Sequence, residues 1–98
     1  MIIDSVDRKI IQCMNDVGII IDEAELINSD VNLTDYNIDS ILFISLLVNI
    51  EELFCIIIPD EYMTYEILQS YRGFSTIIKG LVSISNKSEN ILNKDDLL

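Results

Sequence analysis

Apolar residues recur at helical spacing near the start of the chain. They are separated by steps of four, three, one and three residues, which places them on one face of a helix: Val6, Ile10, Cys13, Met14 and Val17. The pattern predicts a first helix from about Asp4 to Asp16, which Gly18 would end. Residues 19–38 are more polar than the first helix. We predict a long ordered loop there, which could include a short helical turn near Glu23 to Ile27.

A longer apolar run begins after this loop and continues without a helix breaker to Ile58. One set of its residues has the i, i+3, i+4, i+7, i+11 spacing of a stripe that faces a core: Phe43, Leu46, Leu47, Ile50 and Phe54. We therefore predict a second helix that begins at Asp39 or Ser40 and ends near Phe54.

The same helix carries a second apolar stripe on a different side, formed by Ile41, Ile44 and Val48. Two interpretations stay open at this point. Neighbouring helices could bury both stripes, or the second stripe could be a partly exposed docking face, since contiguous exposed apolar patches usually mark binding sites.

The end of the apolar run permits two structures. The β-branched residues from Leu53 to Ile58 would suit a strand, but the chain offers no partner strand of comparable strength. Pro59 disfavours helix at the residue before it, so we prefer a helix end followed by an extended, buried segment.

Two further helices complete the prediction. Asp60 can cap a short third helix through about Leu68. Gly73 interrupts the pattern, and Ser75 can cap a fourth helix with the stripe Ile77, Ile78, Leu81, Val82 and either Ile84 or Ser85. The fold class is thus all-α, a small four-helix bundle with a long loop between helices 1 and 2. Residues 1–86 form the domain, and residues 87–98 form a polar tail, disordered or a short helix.

Composition narrows the possible functions. The 98 residues carry a formal net charge of −11, which argues against phosphate-mediated binding of nucleic acid and favours basic partner surfaces. Neither a signal peptide nor a membrane span is predicted, so we expect a cytoplasmic monomer. Histidine is absent, which removes the commonest general base and the usual Ser-His and Cys-His nucleophile pairs. No catalytic residue is predicted.

The cysteines and acids do not suggest a metal site. Cys13 and Cys55 stand alone within apolar patterns, where core packing is the simpler role. Residues 28–32 place oxygen ligands at alternate positions, as a calcium loop does. However, Leu33 occupies the position that needs glycine, and Asp39 would replace the usual bidentate glutamate.

Ser40 is the strongest candidate for chemistry. It follows Asp39 at the predicted helix start, where the helix dipole favours an anionic group on or near its hydroxyl. Four segments of the chain, one of which contains Ser40, resemble those of the acyl and peptidyl carrier proteins. They are Asp39-Ser40-Ile41, then Ile50-Glu51-Glu52-Leu53-Phe54, Ile56-Ile57-Ile58-Pro59-Asp60-Glu61 and Phe74-Ser75-Thr76-Ile77-Ile78.

The resemblance implies the four-helix carrier fold and a function without catalytic residues. Ser40 would bear 4′-phosphopantetheine from coenzyme A, and Asp39 would help a phosphopantetheinyl transferase to recognise the site. Ile41, Ile44 and Val48 would contact partners, which include enzymes that load and condense acyl or aminoacyl groups as thioesters.

Some positions refine the resemblance. Asn37 stands where glycine is frequent, and asparagine also tolerates a left-handed backbone. Leu42 and Ser45 stand where fatty-acid-synthase carriers have acidic residues. The segment from Tyr62 to Gly73 is also longer than the corresponding segment of those carriers. The chain is thus more similar to stand-alone carriers of nonribosomal peptide or polyketide pathways. The alternative from another class is an unmodified acidic adaptor that binds a partner through the apolar face of the second helix.

Overall fold

A computed structural model describes the backbone of residues 2–96 and the side chains of residues 2–85. All regular structure in that part of the chain is helical, which confirms the all-α prediction. The α-helices are α1 (Ser5–Asp16), α2 (Glu23–Asn28), α3 (Ser40–Phe54) and α4 (Tyr71–Asp96). Three 3₁₀ segments accompany them: Leu33–Tyr36, Asp60–Tyr62 and Tyr65–Gln69.

The first helix begins with a reciprocal cap. The Asp4 carboxylate accepts a hydrogen bond from the Asp7 N–H, and the Asp7 carboxylate accepts one from the Asp4 N–H, so both backbone groups are satisfied. The predicted apolar stripe packs inward, with Ile10, Cys13 and Met14 fully buried. This face of α1 packs against α3.

The core face of α3 is the one that the spacing predicts. Phe43, Leu46, Leu47 and Ile50 are buried there, and Phe54 is half-buried. Because this stripe and that of α1 face each other, the opposite side of α3 is left at the surface.

A left-handed residue ends α3. Cys55 has φ 54°, and its side chain is exposed, so the prediction that it packs in the core is wrong. The chain then runs extended, with Ile56 and Ile58 buried and Ile57 exposed. No strand forms among residues 2–96, and the Glu51 carboxylate instead accepts a hydrogen bond from the Ile58 N–H at 2.9 Å.

The short third helix differs in detail from its prediction. It consists of the two 3₁₀ segments Asp60–Tyr62 and Tyr65–Gln69. Asp60 is not a cap, because Pro59 occupies that position and no side chain caps the segment. The two short segments turn more tightly than an α-helix and lie between the extended segment and α4.

The start of α4 is earlier than predicted. The helix begins at Tyr71, and the Ser70 hydroxyl accepts a hydrogen bond from the Gly73 N–H at 3.0 Å, as a capping side chain does. Gly73 therefore lies inside the helix, and Ser75 is a buried helical residue rather than a cap. Both predictions for these two residues are wrong.

The backbone of α4 continues as helix to Asp96. The side chains of residues 87–98, the predicted polar tail, lie outside the described residues. The predicted domain boundary after residue 86 therefore stays a prediction. None of the helices in the described part has the length and apolar character that a membrane span requires.

Candidate functional site

A left-handed turn leads into α3. Asn37 has φ 56° and ψ 41°, so this position adopts the conformation that glycine takes most easily. The sequence-based expectation that asparagine can serve here is confirmed. The Ile38 side chain that follows is buried and anchors the turn to the core.

Asp39 caps α3. Its backbone is extended, and its carboxylate accepts a hydrogen bond from the Leu42 N–H at 2.7 Å. The Asp39 carbonyl accepts the first helical bond, from the Phe43 N–H at 2.9 Å. Asp39 therefore caps the helix without any contribution from the next side chain, that of Ser40.

Ser40 is the first residue of α3, and its side chain is exposed. No described residue forms a hydrogen bond with its hydroxyl. The N–H groups of the first helical turn point towards this end of the helix and give it a partial positive charge. An accessible nucleophilic oxygen thus lies where a phosphate would be favoured.

The second apolar stripe of α3 is exposed. The exposed fractions are 78% for Ile41, 50% for Ile44 and 45% for Val48, which favours the docking interpretation over burial by neighbouring helices. A shallow depression of about 360 Å³ lies on this side, lined by Ser40, Ile41, Ile44 and Ser45. From Ser40 to Ile50 the sequence has no charged residue, so this surface is uncharged as well as apolar.

Tyr65 is a part of the site that the sequence did not reveal. Its hydroxyl donates a hydrogen bond to the Ile38 carbonyl, and its ring meets the Phe43 ring edge-on, with centroids 5.9 Å apart and planes at 80°. The only sequence signal was a tyrosine in a long connection, because both contacts join residues that are distant along the chain.

A separate buried cluster surrounds Asp7, which has no exposed surface. Its Oδ1 accepts hydrogen bonds from the Tyr71 hydroxyl at 2.8 Å and the Ser75 hydroxyl at 2.6 Å, and its Oδ2 accepts one from Lys79 Nζ at 3.0 Å. Burial alone would raise the pKa of Asp7, but the bonds from Ser75, Lys79 and Tyr71 lower it to about 2. This cluster joins α1 to α4.

The acids of the possible calcium loop serve another purpose. Asp30 accepts hydrogen bonds from the Ser70 hydroxyl at 2.6 Å and the Arg72 N–H at 3.1 Å, and the first of these is the main reason that its pKa is lowered. Asp39 is engaged at the start of α3. Among the described residues, no group of three or more potential metal ligands comes together.

The fold and this site define a class of protein: a small helical domain that presents a serine hydroxyl beside an uncharged apolar face. Residues 8–78, more than half of the chain, match the family model described as the phosphopantetheine attachment site. The chain therefore belongs to this family of carrier proteins. No curated protein and no solved structure matches it.

Membership confirms two of the predictions. Proteins of this family carry the 4′-phosphopantetheine prosthetic group, and they are carriers rather than enzymes. The residues at the start of α3 fit such a group, because Ser40 offers an accessible hydroxyl at the positive end of a helix.

Proposed function

We propose that this protein bears 4′-phosphopantetheine on Ser40 and shuttles acyl or aminoacyl intermediates between biosynthetic enzymes. The observation that carries the proposal is the exposed Ser40 hydroxyl, which no described residue engages, at the first position of α3. When bound, the group supplies a terminal thiol that holds cargo as a thioester. The tether also raises the concentration of cargo near each partner enzyme.

Attachment is a phosphoryl-type transfer from coenzyme A. The Ser40 oxygen would form a new phosphoester bond, the pyrophosphate bond of coenzyme A would break, and adenosine 3′,5′-bisphosphate would leave as the hydroxyl proton is lost. The start of α3 favours the added negative charge. The Asp39 carboxylate is already held by the Leu42 N–H, which reduces its repulsion of the incoming phosphate and leaves its exposed edge for the transferase.

Ile41, Ile44 and Val48 form the proposed docking face for the transferase and for loading and condensing enzymes. Full burial of an aliphatic side chain contributes about 1.5 to 3 kcal/mol, and association itself costs several kcal/mol, so a face of this size gives weak binding. Weak binding suits a carrier that must leave each enzyme after a transfer.

The uncharged start of α3 also supports the narrower assignment. Leu42 and Ser45 replace acids there, so partners would find apolar surface instead of charge next to Ser40. This feature and the long segment from Tyr62 to Gly73 favour a stand-alone carrier of the nonribosomal peptide or polyketide type. We also propose that it acts as a cytoplasmic monomer.

The test of attachment is a mass measurement. Incubation with coenzyme A and a broad-specificity phosphopantetheinyl transferase should add about 340 Da to the wild-type protein, the mass of one arm. Ser5→Ala is the matched control, since Ser5 is also an exposed serine at the first position of a helix that an aspartate caps, and its variant should be modified normally. Absence of the shift in the folded wild type, or its persistence in Ser40→Ala, would contradict the proposal.

The docking face is tested by adding one charge at two different places. Ile44→Asp should lower kcat/KM for modification by about tenfold, equivalent to about 1.4 kcal/mol, because a carboxylate would be buried at the contact. Ile57→Asp introduces the same charge at a residue that is 83% exposed and outside α3, and it should have little effect. Equal rates for the two variants would count against this face.

The same variants address the adaptor alternative. An unmodified adaptor would bind its partner equally well with or without Ser40, but would lose binding in Ile44→Asp. A carrier instead depends on Ser40 for cargo transfer, so Ser40→Ala should abolish transfer even where docking persists.

A further inference from the structure

We propose that Tyr65 is a positioning residue, one that holds the turn before α3 in the conformation in which Ser40 is modified. The inference rests on the proposed function. Tyr65 belongs to the 3₁₀ segment Tyr65–Gln69, which is far from the turn along the sequence but adjacent to it in the fold.

The backbone before Ser40 is held in place at Ile38. Asn37 is left-handed and Asp39 is extended, so the chain changes direction sharply across Ile38. The Ile38 side chain is held by the core, and its carbonyl accepts the hydrogen bond from the Tyr65 hydroxyl. Both the side chain and the carbonyl of Ile38 are therefore fixed, immediately before the residue that caps α3.

Tyr65 also contacts the chain on the other side of Ser40. The Tyr65 ring packs edge-on against Phe43, which is buried on the core face of α3. Tyr65 thus contacts the chain two residues before Ser40 through its hydroxyl and three residues after it through its ring. One side chain holds the turn and the first turn of α3 together.

This arrangement connects Tyr65 to the reaction rather than to the core alone. The tyrosine is 42% exposed, whereas Ile38 and Phe43, which it contacts, are buried. Rotation of the peptide between Ile38 and Asp39 would displace the cap and with it the direction of the Ser40 hydroxyl. Since the rate of a transfer depends steeply on the placement of the attacking oxygen, loss of the hydrogen bond should lower kcat more than it raises KM.

The test removes the hydroxyl and keeps the ring. Tyr65→Phe should lower kcat for Ser40 modification by the transferase by about three- to tenfold, with KM for the carrier changed less than about twofold. Tyr36→Phe is the matched control, because it removes a tyrosine hydroxyl that donates to the Glu25 carboxylate at 2.7 Å. Its kcat should stay within about twofold of wild type.

The outcomes separate this inference from the proposed function. If wild type gains the arm and Tyr65→Phe is modified with the same kcat, the positioning role is wrong while the carrier function stands. The positioning role is also wrong if Tyr65→Phe and Tyr36→Phe lose kcat equally, since the loss would then be general. If wild type itself gains no mass, the proposed function fails and this inference fails with it.

Discussion

Two helical serines of this chain have opposite environments. Ser75 is 1% exposed, and its hydroxyl donates to the Asp7 carboxylate at 2.6 Å. Ser40 is exposed, and no described residue engages its hydroxyl, because Asp39 already supplies the cap of α3. A hydroxyl that completes a buried network contributes to stability. The Ser40 hydroxyl is not needed for the fold, because Asp39 caps the helix, and it therefore stays available for chemistry.

The surroundings of the two serines also differ in charge. Lys79 Nζ lies 2.9 Å from the Asp4 carboxylate and 3.0 Å from that of Asp7, so a compact ionic cluster joins the start of α1 to α4. The exposed face of α3 beside Ser40 has no charged residue as far as Ile50. Ionic contacts hold this fold together in one region, and apolar surface is displayed in the other.

The largest effect on stability is expected in the Asp7 cluster. Asp7→Ala leaves the buried hydroxyls of Tyr71 and Ser75 without their acceptor, so the free energy of unfolding should fall by about 2 to 4 kcal/mol in urea titrations. Asp39→Ala removes an exposed cap and should cost only about 1 kcal/mol. If the Asp39 variant were the less stable of the two, the contrast between the regions would be wrong.

The contribution of Asp7 to stability should depend on pH. The folded-state pKa of Asp7 is about 2, below its ordinary value of 3.8, so its contribution to stability is complete above about pH 4 and is lost as pH falls towards 2. The full contribution is roughly 2 kcal/mol, and about half should disappear by pH 3.

Asp7→Asn isolates this contribution, because the other carboxylates titrate in both proteins. The stability advantage of wild type over Asp7→Asn, measured at pH 6 and pH 3, should shrink at the lower pH. If the difference in free energy of unfolding between wild type and Asp7→Asn were the same at both pH values, the cluster would not stabilise the charged form of Asp7.

The start of α3 offers a third comparison, at the left-handed Asn37. Asn37→Val should lower the free energy of unfolding by roughly 1 to 2 kcal/mol, because a β-branched residue fits φ 56° poorly. Asn37→Gly should be within about 0.5 kcal/mol of wild type, since glycine adopts this conformation without steric cost. Thermal unfolding of both variants measures the difference, and equal losses would show that backbone conformation is not what matters there.

The sequence predicted the features of the site that depend on neighbouring residues. Helical spacing separated the core stripe of Phe43 from a second stripe of Ile41, Ile44 and Val48, although it left open whether neighbouring helices bury that second stripe. The tolerance of asparagine for a left-handed backbone accounted for Asn37. These properties follow from local geometry and periodicity, which are visible in a single chain.

The features that were missed depend on residues far apart in the sequence. Ser75 is a plausible helix cap by type, but it faces Asp7 across the bundle, and Ser70 takes the capping role with Asp30 as its partner. Tyr65 reaches Ile38 from another segment. Residue type and local spacing give no information about such pairs, so the third helix and the start of α4 were predicted less well than α3.

The smallest effect on stability is expected at Ser40 itself. Ser40→Ala removes an exposed hydroxyl that no described residue engages, and alanine has the higher helix propensity, so the free energy of unfolding should change by less than about 0.5 kcal/mol. Ser75→Ala, the same change at the buried serine, should cost about 1 to 3 kcal/mol. Urea titration compares the two, and mass spectrometry should show the opposite order for modification: complete loss in Ser40→Ala and none in Ser75→Ala at a temperature where both are folded. A Ser40→Ala variant as destabilised as Ser75→Ala would mean that this hydroxyl is part of the fold and is not held available for attachment.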